Sequence, residues 1–598
     1  MSNNNIYFVD MERRFNDFRD NKVDMREIHT IVYDTDNVAL ALRLLSQSKG
    51  KMAKGSDGTN FETLEPYSID ELAEIVKDRL LNKKMSYVRR TYIPKGNSGK
   101  KRPLGICSVW DKLVEKCIQL VIEPYCEMHF VDSSFGFRPQ VGTHNALAKV
   151  KNQCETMPFA LSVDLKDYFG TIDPDIAYRE LWHIGVKNQV ILNYLYRFIK
   201  KGYFEDSCKV EDPKGTPQGS ILGPLISNVY LHRFDVWLRS QGDCWHDPNA
   251  TYFHDFANKR RNLLRTNLKL GIHVRYADDI LVLCKTREHA ERFRYSITKY
   301  LTRSLKLEIN EEKTKIYDLT QEKMKYLGYD FLAIKNVKSK NPQQRGKHLI
   351  RNTLPKAKED EITKKCRVLL RAIRKKPNYA TVHAWNAYVV GLHNYYRGMN
   401  YFHDSFHRIG WRIMKLFYHA MNKRIKFMKE QSYKNNFQKG VYKTWGKDGY
   451  YCFDIYPVFE IWWANWDKKL IAGYKGKVTR VNPYAYGEKK HKPGVSIDDI
   501  GYLVETSKPI RNSRYAMFRI SKYSCSKGVS YLSGEHVPVN EYHCHHIKPV
   551  EKGGTNDFDN LCVLSEEEHK ILHSNTPERL YSMFPRKIRR IKALIDAL

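Results

Sequence analysis

The sequence predicts a multidomain α+β protein. Its 598 residues are enough for several domains, and 42% of them are apolar, so each domain can bury a core. Helical apolar runs dominate residues 1–90 and 355–430, whereas the middle of the chain carries short β-branched segments such as Phe159–Val163. No stretch approaches the ~20 apolar residues of a membrane span, and the first residues lack a signal-peptide core. We therefore expect a cytoplasmic protein with no membrane partner and with reduced cysteines.

Positive charge is in large excess. The chain carries 101 Lys and Arg against 67 Asp and Glu, which gives a net charge of +34. An imbalance of this size indicates a polyanionic partner. The 39 tyrosines agree with this interpretation, because aromatic rings among basic side chains can stack on unpaired bases. The alternative is ordinary solubilising lysine, which the size of the excess disfavours.

Two adjacent aspartates, Asp278 and Asp279, lie between apolar segments that predict strands over 274–276 and 280–283. Ala277-Asp278 should then be the turn of a β-hairpin. Two unit charges ~4 Å apart repel by ~4 kcal/mol at an effective dielectric constant near 20. A divalent cation would turn this cost into a gain, and hard oxygen ligands select magnesium. A solvated turn is the alternative for the pair taken alone.

The N-terminal third predicts apolar helices over 38–45 and 69–81, followed by a basic β-hairpin. Its strands would cover 87–95 and 100–106, and Lys95 and Arg102 would lie near the connecting turn. A point charge from Lys and a fork of donors from Arg suit a triphosphate. A solvated basic surface is the alternative.

Further along, a helix is predicted over 110–129, and the strand Phe159–Val163 ends at Asp164. A carboxylate at the end of a buried strand is well placed to join a metal site. The turn 215–220 should open an apolar helix over 221–231, and anions are favoured at its N-terminus. Residues 337–348 are basic and lack apolar periodicity, which is typical of a linker.

Five motifs in a fixed order resemble those of reverse transcriptases. Two of the motifs are the Lys95/Arg102 hairpin and Asp164 with Phe169. The other three are similar in their residues to the group II intron branch: Gly136-Phe137-Arg138-Pro139, Gly215-Thr216-Pro217-Gln218-Gly219 and Arg275-Tyr276-Ala277-Asp278-Asp279. The later stretch Gly391-Leu392-His393-Asn394-Tyr395-Tyr396 resembles the maturase (X) domain of that branch. The match covers most of the chain.

The resemblance implies a domain order. It comprises an N-terminal extension and the start of the fingers (1–90), right-hand-like reverse transcriptase fingers and palm (91–335), an α-helical thumb and maturase domain (336–440), a DNA-binding region (441–520) and a small ββα-metal endonuclease domain (521–598).

The resemblance also implies roles in polymerisation. Asp164, Asp278 and Asp279 match the carboxylates that hold two Mg²⁺ ions. Five further positions match nucleotide-binding residues: Lys95 and Arg102 on the triphosphate, Phe169 under the sugar, Gln218 in the nucleotide pocket and Lys313 near the pyrophosphate. Gly170 departs from the pattern, because many relatives carry Asp there.

The C-terminal residues carry a second pattern. His569 and His573 are four residues apart, so they share a helix face and can bind one metal. The segment resembles the His-Asn-His endonucleases. That pattern implies His546 as the general base, Asn560 as its orienting residue, and His545, His569 and His573 as ligands.

A zinc knuckle or an inactive relic is the alternative for this segment. The two Cys-x-x-Cys pairs of many relatives are absent, since Cys525 stands alone and Ser565 and Glu568 occupy positions where cysteines often lie. His-rich ligands suit zinc, nickel or manganese, while catalysis can also use magnesium.

The implied function is that of an RNA-directed DNA polymerase and maturase in the bacterial cytoplasm or nucleoid. The protein would bind intron RNA to promote splicing and would nick target DNA to prime reverse transcription during intron mobility. Its partners would be group II intron RNA, target DNA and deoxynucleoside triphosphates. A retron-like or other reverse transcriptase, or a non-catalytic RNA-binding splicing cofactor, is the alternative. The long basic region after Lys335 disfavours the former, and the complete carboxylate trio disfavours the latter.

Overall fold

The structure is a computed structural model that describes residues 4–94, 101–154, 156–205, 208–211, 214–242, 261–268, 270–335, 348–396, 398–399, 402–421, 425–429, 449–453, 456–462 and 497–598. Several sheets and many helices share these residues, so the predicted mixed helix-and-sheet, multidomain class is confirmed. Across these ranges, each helix is too short or too polar to span a bilayer.

The helices of the described residues are α1 (Asn4–Arg19), α2 (Ile28–Val32), α3 (Thr35–Ser46), α4 (Ile69–Leu81), α5 (Val109–Glu127), α6 (Thr143–Cys154), α7 (Pro174–Ile184), α8 (Gln189–Ile199), α9 (Gly223–Tyr230), α10 (His232–Ser240), α11 (Arg287–Leu305), α12 (Lys356–Lys375), α13 (Tyr379–Tyr396), α14 (Phe402–Ala420), α15 (Ile497–Ser507), α16 (Ser513–Ser526), α17 (Glu566–Leu572), α18 (Arg579–Met583) and α19 (Ile588–Ile595). The strands are β1 (Val88–Pro94), β2 (Lys101–Ile106), β3 (Phe159–Val163), β4 (Tyr203–Glu205), β5 (Cys208–Val210), β6 (Gly271–Tyr276), β7 (Asp279–Cys284), β8 (Lys315–Asp318), β9 (Met324–Tyr326), β10 (Tyr329–Lys335), β11 (His348–Thr353), β12 (Ile425–Lys429), β13 (Gly449–Phe453), β14 (Tyr456–Val458), β15 (Tyr542–His546) and β16 (Leu561–Ser565).

Helices α1 to α5 form the N-terminal part and share one large apolar core with the middle of the chain. Helix α4 covers the predicted residues 69–81 because Ser68 and Glu71 form a capping box that fixes its start. The helix predicted over 110–129 is α5, shifted by one or two residues.

The predicted basic hairpin is present as β1 and β2, which pair antiparallel with Ile93 opposite Arg102. Strand β4 extends it in parallel with β1, and β5 closes a sheet of order β2-β1-β4-β5. Residues 95–100, with the predicted nucleotide-binding residue Lys95, lie outside the described residues.

A second sheet of order β6-β7-β3-β8 forms the centre of the molecule. Successive side chains along its strands point alternately into two apolar cores, because both faces of the sheet are covered. One face contributes Leu161, Val163, Ile280 and Val282 to the core shared with the N-terminal helices. The other contributes Ala160, Val274, Leu281 and Leu283 to the core shared with α12 to α14.

The third sheet, β11-β10-β9, joins the central sheet to helices α12 to α14. His348 begins β11 and is not part of a linker; the other residues of the predicted linker lie outside the described residues. The helical prediction for 355–430 is wrong at its end, where Ile425–Lys429 forms β12 of the sheet β12-β13-β14. Most of the predicted DNA-binding region, 441–520, also lies outside the described residues, and the domain boundaries stay predictions.

The C-terminal part contains the hairpin β15-β16 followed directly by α17. Two small apolar cores support it, one around Tyr523 and Tyr542 and the other around Leu564 and Leu572. This local order of two strands and a helix is the ββα arrangement that the sequence predicts for the segment.

Candidate active sites

The two adjacent aspartates lie where the pattern predicts, at a two-residue hairpin turn. Tyr276 pairs with Asp279, so Ala277 and Asp278 make the turn between β6 and β7. Ala277 has φ of +57°, which the tight turn requires of its first residue. The backbone at Gly136 packs directly against this turn. Only glycine fits there, since a Cβ at position 136 would lie 2.3 Å from the Ala277 nitrogen.

Asp164 lies at the same edge of the sheet, directly after β3. Val163 pairs with Ile280, which brings Asp164 beside Asp279. The Lys313 ammonium is 2.9 Å from a carboxylate oxygen of Asp164, and this contact raises the pKa of Lys313. The structure therefore brings together three carboxylates and one cation that the sequence analysis singled out.

The charge of this cluster is not balanced. Asp279 keeps solvent-accessible surface, but desolvation by the atoms around it and repulsion from Asp278 and Asp164 raise the pKa of its carboxyl to about 6. Lys313 opposes this shift only in part. An edge with such excess negative charge favours a bound cation.

Phe169 and Gln218 lie on two segments that contact each other. The Thr216 amide donates a 2.7 Å hydrogen bond to the Phe169 carbonyl, and the Gln218 carbonyl accepts a 2.6 Å bond from Gly105 at the end of β2. The Phe169 ring is half-buried and meets the ring of Phe137 edge-on. Phe169, the turn that carries Gln218 and the basic hairpin thus belong to one packed region.

A cavity of about 290 Å³ lies beside the Gln218 turn, and basic Arg90 and Lys214 contribute to its lining. Arg102 is exposed on β2. Gly170 also lines the cavity, and a Cβ there would lie 2.3 Å from the Asp167 carboxylate.

Three histidines converge at the C-terminal ββα unit. Among the described residues, His545, His569 and His573 alone bring three candidate ligand atoms within 4.8 Å of one another. His545 is supplied by β15 and is only 7% exposed, while its Nε2 has no hydrogen-bond partner. Burial and the neighbouring imidazoles lower the pKa of both His545 and His569 to about 4, so both are neutral at pH 7 and able to bind a metal.

His546 points to a different set of contacts from His545. Its Nε2 lies 2.8 Å from the Asn556 side-chain oxygen, and its ring stacks on Tyr515 at a centroid distance of 5.1 Å. Asn560, which the resemblance implies as the residue that orients His546, has no direct bond to that ring among the described contacts, and its role stays a prediction. Asn560 bonds instead to the backbone of Lys548 and Thr555, because it closes the loop between β15 and β16.

Glu568 joins α17 to the segment around Ser530, at a position where the resemblance leads one to expect a cysteine. It forms a capping box with Ser565 at the start of α17 and is almost fully buried. The Ser530 hydroxyl lies within 2.8 Å of both of its carboxylate oxygens, and the Ser533 amide donates a further bond of 3.0 Å. Hydrogen bonds to the Glu568 carboxylate thus connect the loop of Ser530 and Ser533 to the start of α17.

Sequence reasoning missed Arg275 and Asn556. Arg275 precedes the paired aspartates and is completely buried, with its guanidinium bonded to Asp235, Asn228, Ser134 and the Ala277 carbonyl. An arginine inside an apolar strand is itself a signal, since a buried charge requires partners. Asn556 lies in a polar loop, and nothing in its local sequence sets it apart from Asn560.

Comparisons with known proteins agree with the geometry of the central sheet. Residues 93–331 match the family model of reverse transcriptase (RNA-dependent DNA polymerase). The chain is 30% identical over 328 residues to the group II intron-encoded protein LtrA of Lactococcus lactis subsp. cremoris, covering 49% of this chain and 54% of LtrA. It is 28% identical over 373 residues to protein YkfC of Escherichia coli, covering 59% of this chain and 94% of YkfC.

A third relative is a putative COX1/OXI3 intron 1 protein of Saccharomyces cerevisiae, 26% identical over 329 residues, with 50% of this chain and 39% of that protein covered. The chain spans about half the length of LtrA. The family match contains Asp164, Asp278 and Asp279, whereas the three histidines lie beyond it. Residues 93–331 are therefore similar to a reverse transcriptase domain, and the relatives that match this part of the chain include a group II intron-encoded protein.

Proposed function

We propose that the chain is an RNA-directed DNA polymerase and maturase of a group II intron that also nicks the DNA target from which it primes synthesis. The observation that carries the polymerase part is the convergence of Asp164, Asp278 and Asp279 at one edge of the central sheet. The nuclease part rests on the separate cluster of His545, His569 and His573.

At the polymerase site, Asp164, Asp278 and Asp279 would hold two Mg²⁺ ions. The raised pKa of Asp279 supports this assignment, because a cation relieves the repulsion that causes the shift. When bound, the ions activate the primer 3′-hydroxyl and stabilise the pyrophosphate leaving group. Lys313 adds a fixed positive charge beside Asp164 for the developing charge on the pyrophosphate.

The neighbouring residues would select the deoxynucleoside triphosphate. Lys95 and Arg102 of the basic hairpin bind its phosphates, Gln218 lines its pocket, and the Phe169 ring lies under its sugar. The backbone bond from Thr216 to Phe169 supports this division, because it joins the segment of Phe169 to the turn that carries Gln218.

At the nuclease site, His545, His569 and His573 would hold one divalent metal. The unpartnered Nε2 of the buried His545 supports this, since a buried polar atom needs a partner. When bound, the metal stabilises charge at the scissile phosphate. His546 would accept the proton of the attacking water, and its bond to Asn556 fixes the orientation of the ring.

RNA binding would use the positive charge and the exposed aromatic residues of the thumb. Trp411 is 76% exposed on α14, close in sequence to Arg412 and Lys415. Such surfaces suit single-stranded and structured RNA. LtrA is by name a group II intron-encoded protein, which supports a group II intron as the element that encodes this chain. Intron RNA as the partner and splicing assistance as the maturase role are the functions that we propose for the basic surface.

A coupled assay tests the whole proposal. Purified protein is combined with its intron RNA, a supercoiled DNA target, Mg²⁺ and labelled deoxynucleotides. We expect labelled cDNA joined covalently to the 3′ end of one nicked target strand. A second reaction contains an annealed DNA primer in addition. DNA synthesis from this primer but not from the target would contradict the nuclease part, and no DNA synthesis in either reaction would contradict the polymerase part as well.

A further inference from the structure

Helix α16 has two faces, and each packs on a different part of the molecule. One face contacts the N-terminal helices, and the other contacts the histidine-rich unit. The chain between residues 463 and 496, which precedes the unit, lies outside the described residues. The described contacts, however, are enough to join the two parts.

The first face is anchored through the buried residue Ser513. Its amide donates to the carbonyls of Glu65 (3.1 Å) and Tyr67 (3.0 Å), and its hydroxyl donates to the carbonyl of Leu64 (3.0 Å). These bonds satisfy a backbone amide at the start of α16 with the carbonyls of a distant segment. The contact is therefore directional and specific.

Apolar burial reinforces this anchor. Ala516 and Met517 belong to the same core as the N-terminal helices, and Ile510 packs against it. Met517 is only 3% exposed. Burial of this apolar side chain stabilises the contact.

The opposite face of α16 forms part of the surroundings of His546. The Tyr515 ring stacks on the imidazole, and its hydroxyl donates a 2.7 Å bond to the Cys544 carbonyl. Lys522 donates a 3.0 Å bond to the Phe558 carbonyl, close to the loop that carries Asn556. A displacement of α16 would therefore displace the residues that orient His546.

Arg514 joins the two faces. One of its terminal nitrogens is 2.5 Å from the Glu65 carboxylate, and the other pairs with the Asp557 carboxylate. Asp557 is the neighbour of Asn556, whose side chain bonds His546. A continuous series of contacts thus runs from Glu65 near α4 to His546.

We propose that Arg514 is a positioning residue that docks the histidine-rich unit on the N-terminal helices and thereby orients His546. The functional half of this statement rests on the nuclease activity proposed above, whereas the docking itself does not. The N-terminal helices share a core with the central sheet. Docking would therefore hold the two sites in one fixed relationship.

The test compares three substitutions in the full chain. Arg514→Glu places a negative charge between Glu65 and Asp557, and Met517→Lys disrupts the apolar contact independently. Arg511→Glu is the matched control, because the Arg511 side chain is 86% exposed and its carboxylate partner Glu71 is 3.8 Å away. The readouts are hydrogen exchange over residues 508–526, metal content, primer extension and target nicking.

We expect Arg514→Glu and Met517→Lys to increase hydrogen exchange at the start of α16 by about tenfold or more, because a docked segment opens less often than a free one. Nicking should fall by about tenfold or more, since small misplacements of catalytic groups are costly. Metal content and extension from an annealed primer should match the Arg511→Glu control.

Exchange in Arg514→Glu and Met517→Lys equal to the control would overturn the docking. Increased exchange with unchanged nicking by an active enzyme would overturn the positioning role. If the unaltered protein does not nick DNA at all, the nuclease proposal and the positioning role with it are wrong, while the exchange measurement still decides whether the unit docks.

Discussion

The guanidinium of Arg275 donates a 2.8 Å hydrogen bond to the carbonyl of Ala277, the residue that turns the chain into Asp278. The same guanidinium binds both carboxylate oxygens of Asp235 and the hydroxyl of Ser134. One buried cation thus connects the hairpin that carries the aspartates with a helix and a loop behind it. Its partners satisfy the charge, which is the condition for burying an arginine.

Arg275→Lys should reduce kcat for primer extension by about tenfold or more, with a change in KM for deoxynucleotide of less than about threefold. A lysine supplies a point charge and cannot reproduce the fork of bonds. The nucleotide-binding residues are untouched, so binding should persist. Single-turnover and steady-state extension measure both constants, and Arg287→Lys, at an exposed Arg287–Glu291 pair, is the control. An unchanged kcat in a less stable Arg275→Lys protein would mean that Arg275 only stabilises the fold.

Phe169→Val should raise the incorporation of ribonucleotides relative to deoxynucleotides by about tenfold or more, because a smaller side chain leaves space for a 2′-hydroxyl. A small steric difference in a binding pocket changes the discrimination between two substrates by about 1–3 kcal/mol, which is a factor of about 10–200. Competition between labelled nucleotides measures the ratio, with Phe427→Val, an exposed residue of β12, as the control. A constant ratio would show that Phe169 contributes only to packing.

His569→Ala should lose the metal of the C-terminal unit and abolish nicking, whereas His546→Ala should abolish nicking and keep the metal. The difference follows from the positions of the two rings, since His569 belongs to the cluster of candidate ligands and His546 bonds to Asn556. Metal analysis beside a nicking assay makes the comparison. His536→Ala, an exposed histidine of the same unit, should change neither. Loss of metal in His546→Ala would contradict the roles assigned.

Glu123→Gln should raise the apparent Tm relative to the unaltered protein at pH 8 but not at pH 4.5. Burial, followed by repulsion from Glu127, raises the pKa of Glu123 from 4.5 to about 7. The folded state then holds the proton more tightly than the unfolded state, so this group's contribution to stability is lost as the pH rises from about 4.5 to about 7. The cost that the substitution removes is at most about 3 kcal/mol.

The control for this measurement is Glu74→Gln, because the Glu74 side chain is largely exposed on α4. It should leave the apparent Tm nearly unchanged at both pH values. An equal effect of Glu123→Gln at pH 4.5 and pH 8 would contradict the assigned pKa.

Local signals of the sequence predicted much of this structure. The apolar helical run over residues 69–81 predicted α4, and strand alternation around a two-residue turn placed Asp278 and Asp279 at a hairpin. The helix period placed His569 beside His573, and in these three cases a short segment determines its own geometry. The approach of His545 to these two residues was implied only by the family resemblance.

The remaining features depend on contacts between distant segments. Asn556 and Asn560 are chemically identical and four residues apart, so only the path of the loop decides which one contacts His546. The docking of Arg514 on Glu65 joins residues 449 positions apart, and no periodicity connects them. Such contacts arise from the packing of whole elements, which local patterns do not encode.

If Asp164, Asp278 and Asp279 form the polymerase site, the variant Asp278→Asn with Asp279→Asn should be unable to extend a primer on an RNA template. Asparagine keeps the shape of the turn but removes the charge that holds Mg²⁺. We predict a loss of extension by a factor of about 10³ or more, with unchanged RNA binding and an unchanged fold, whereas Asp70→Asn on the exposed face of α4 extends normally. Extension at the rate of the unaltered protein in the double variant would contradict this assignment.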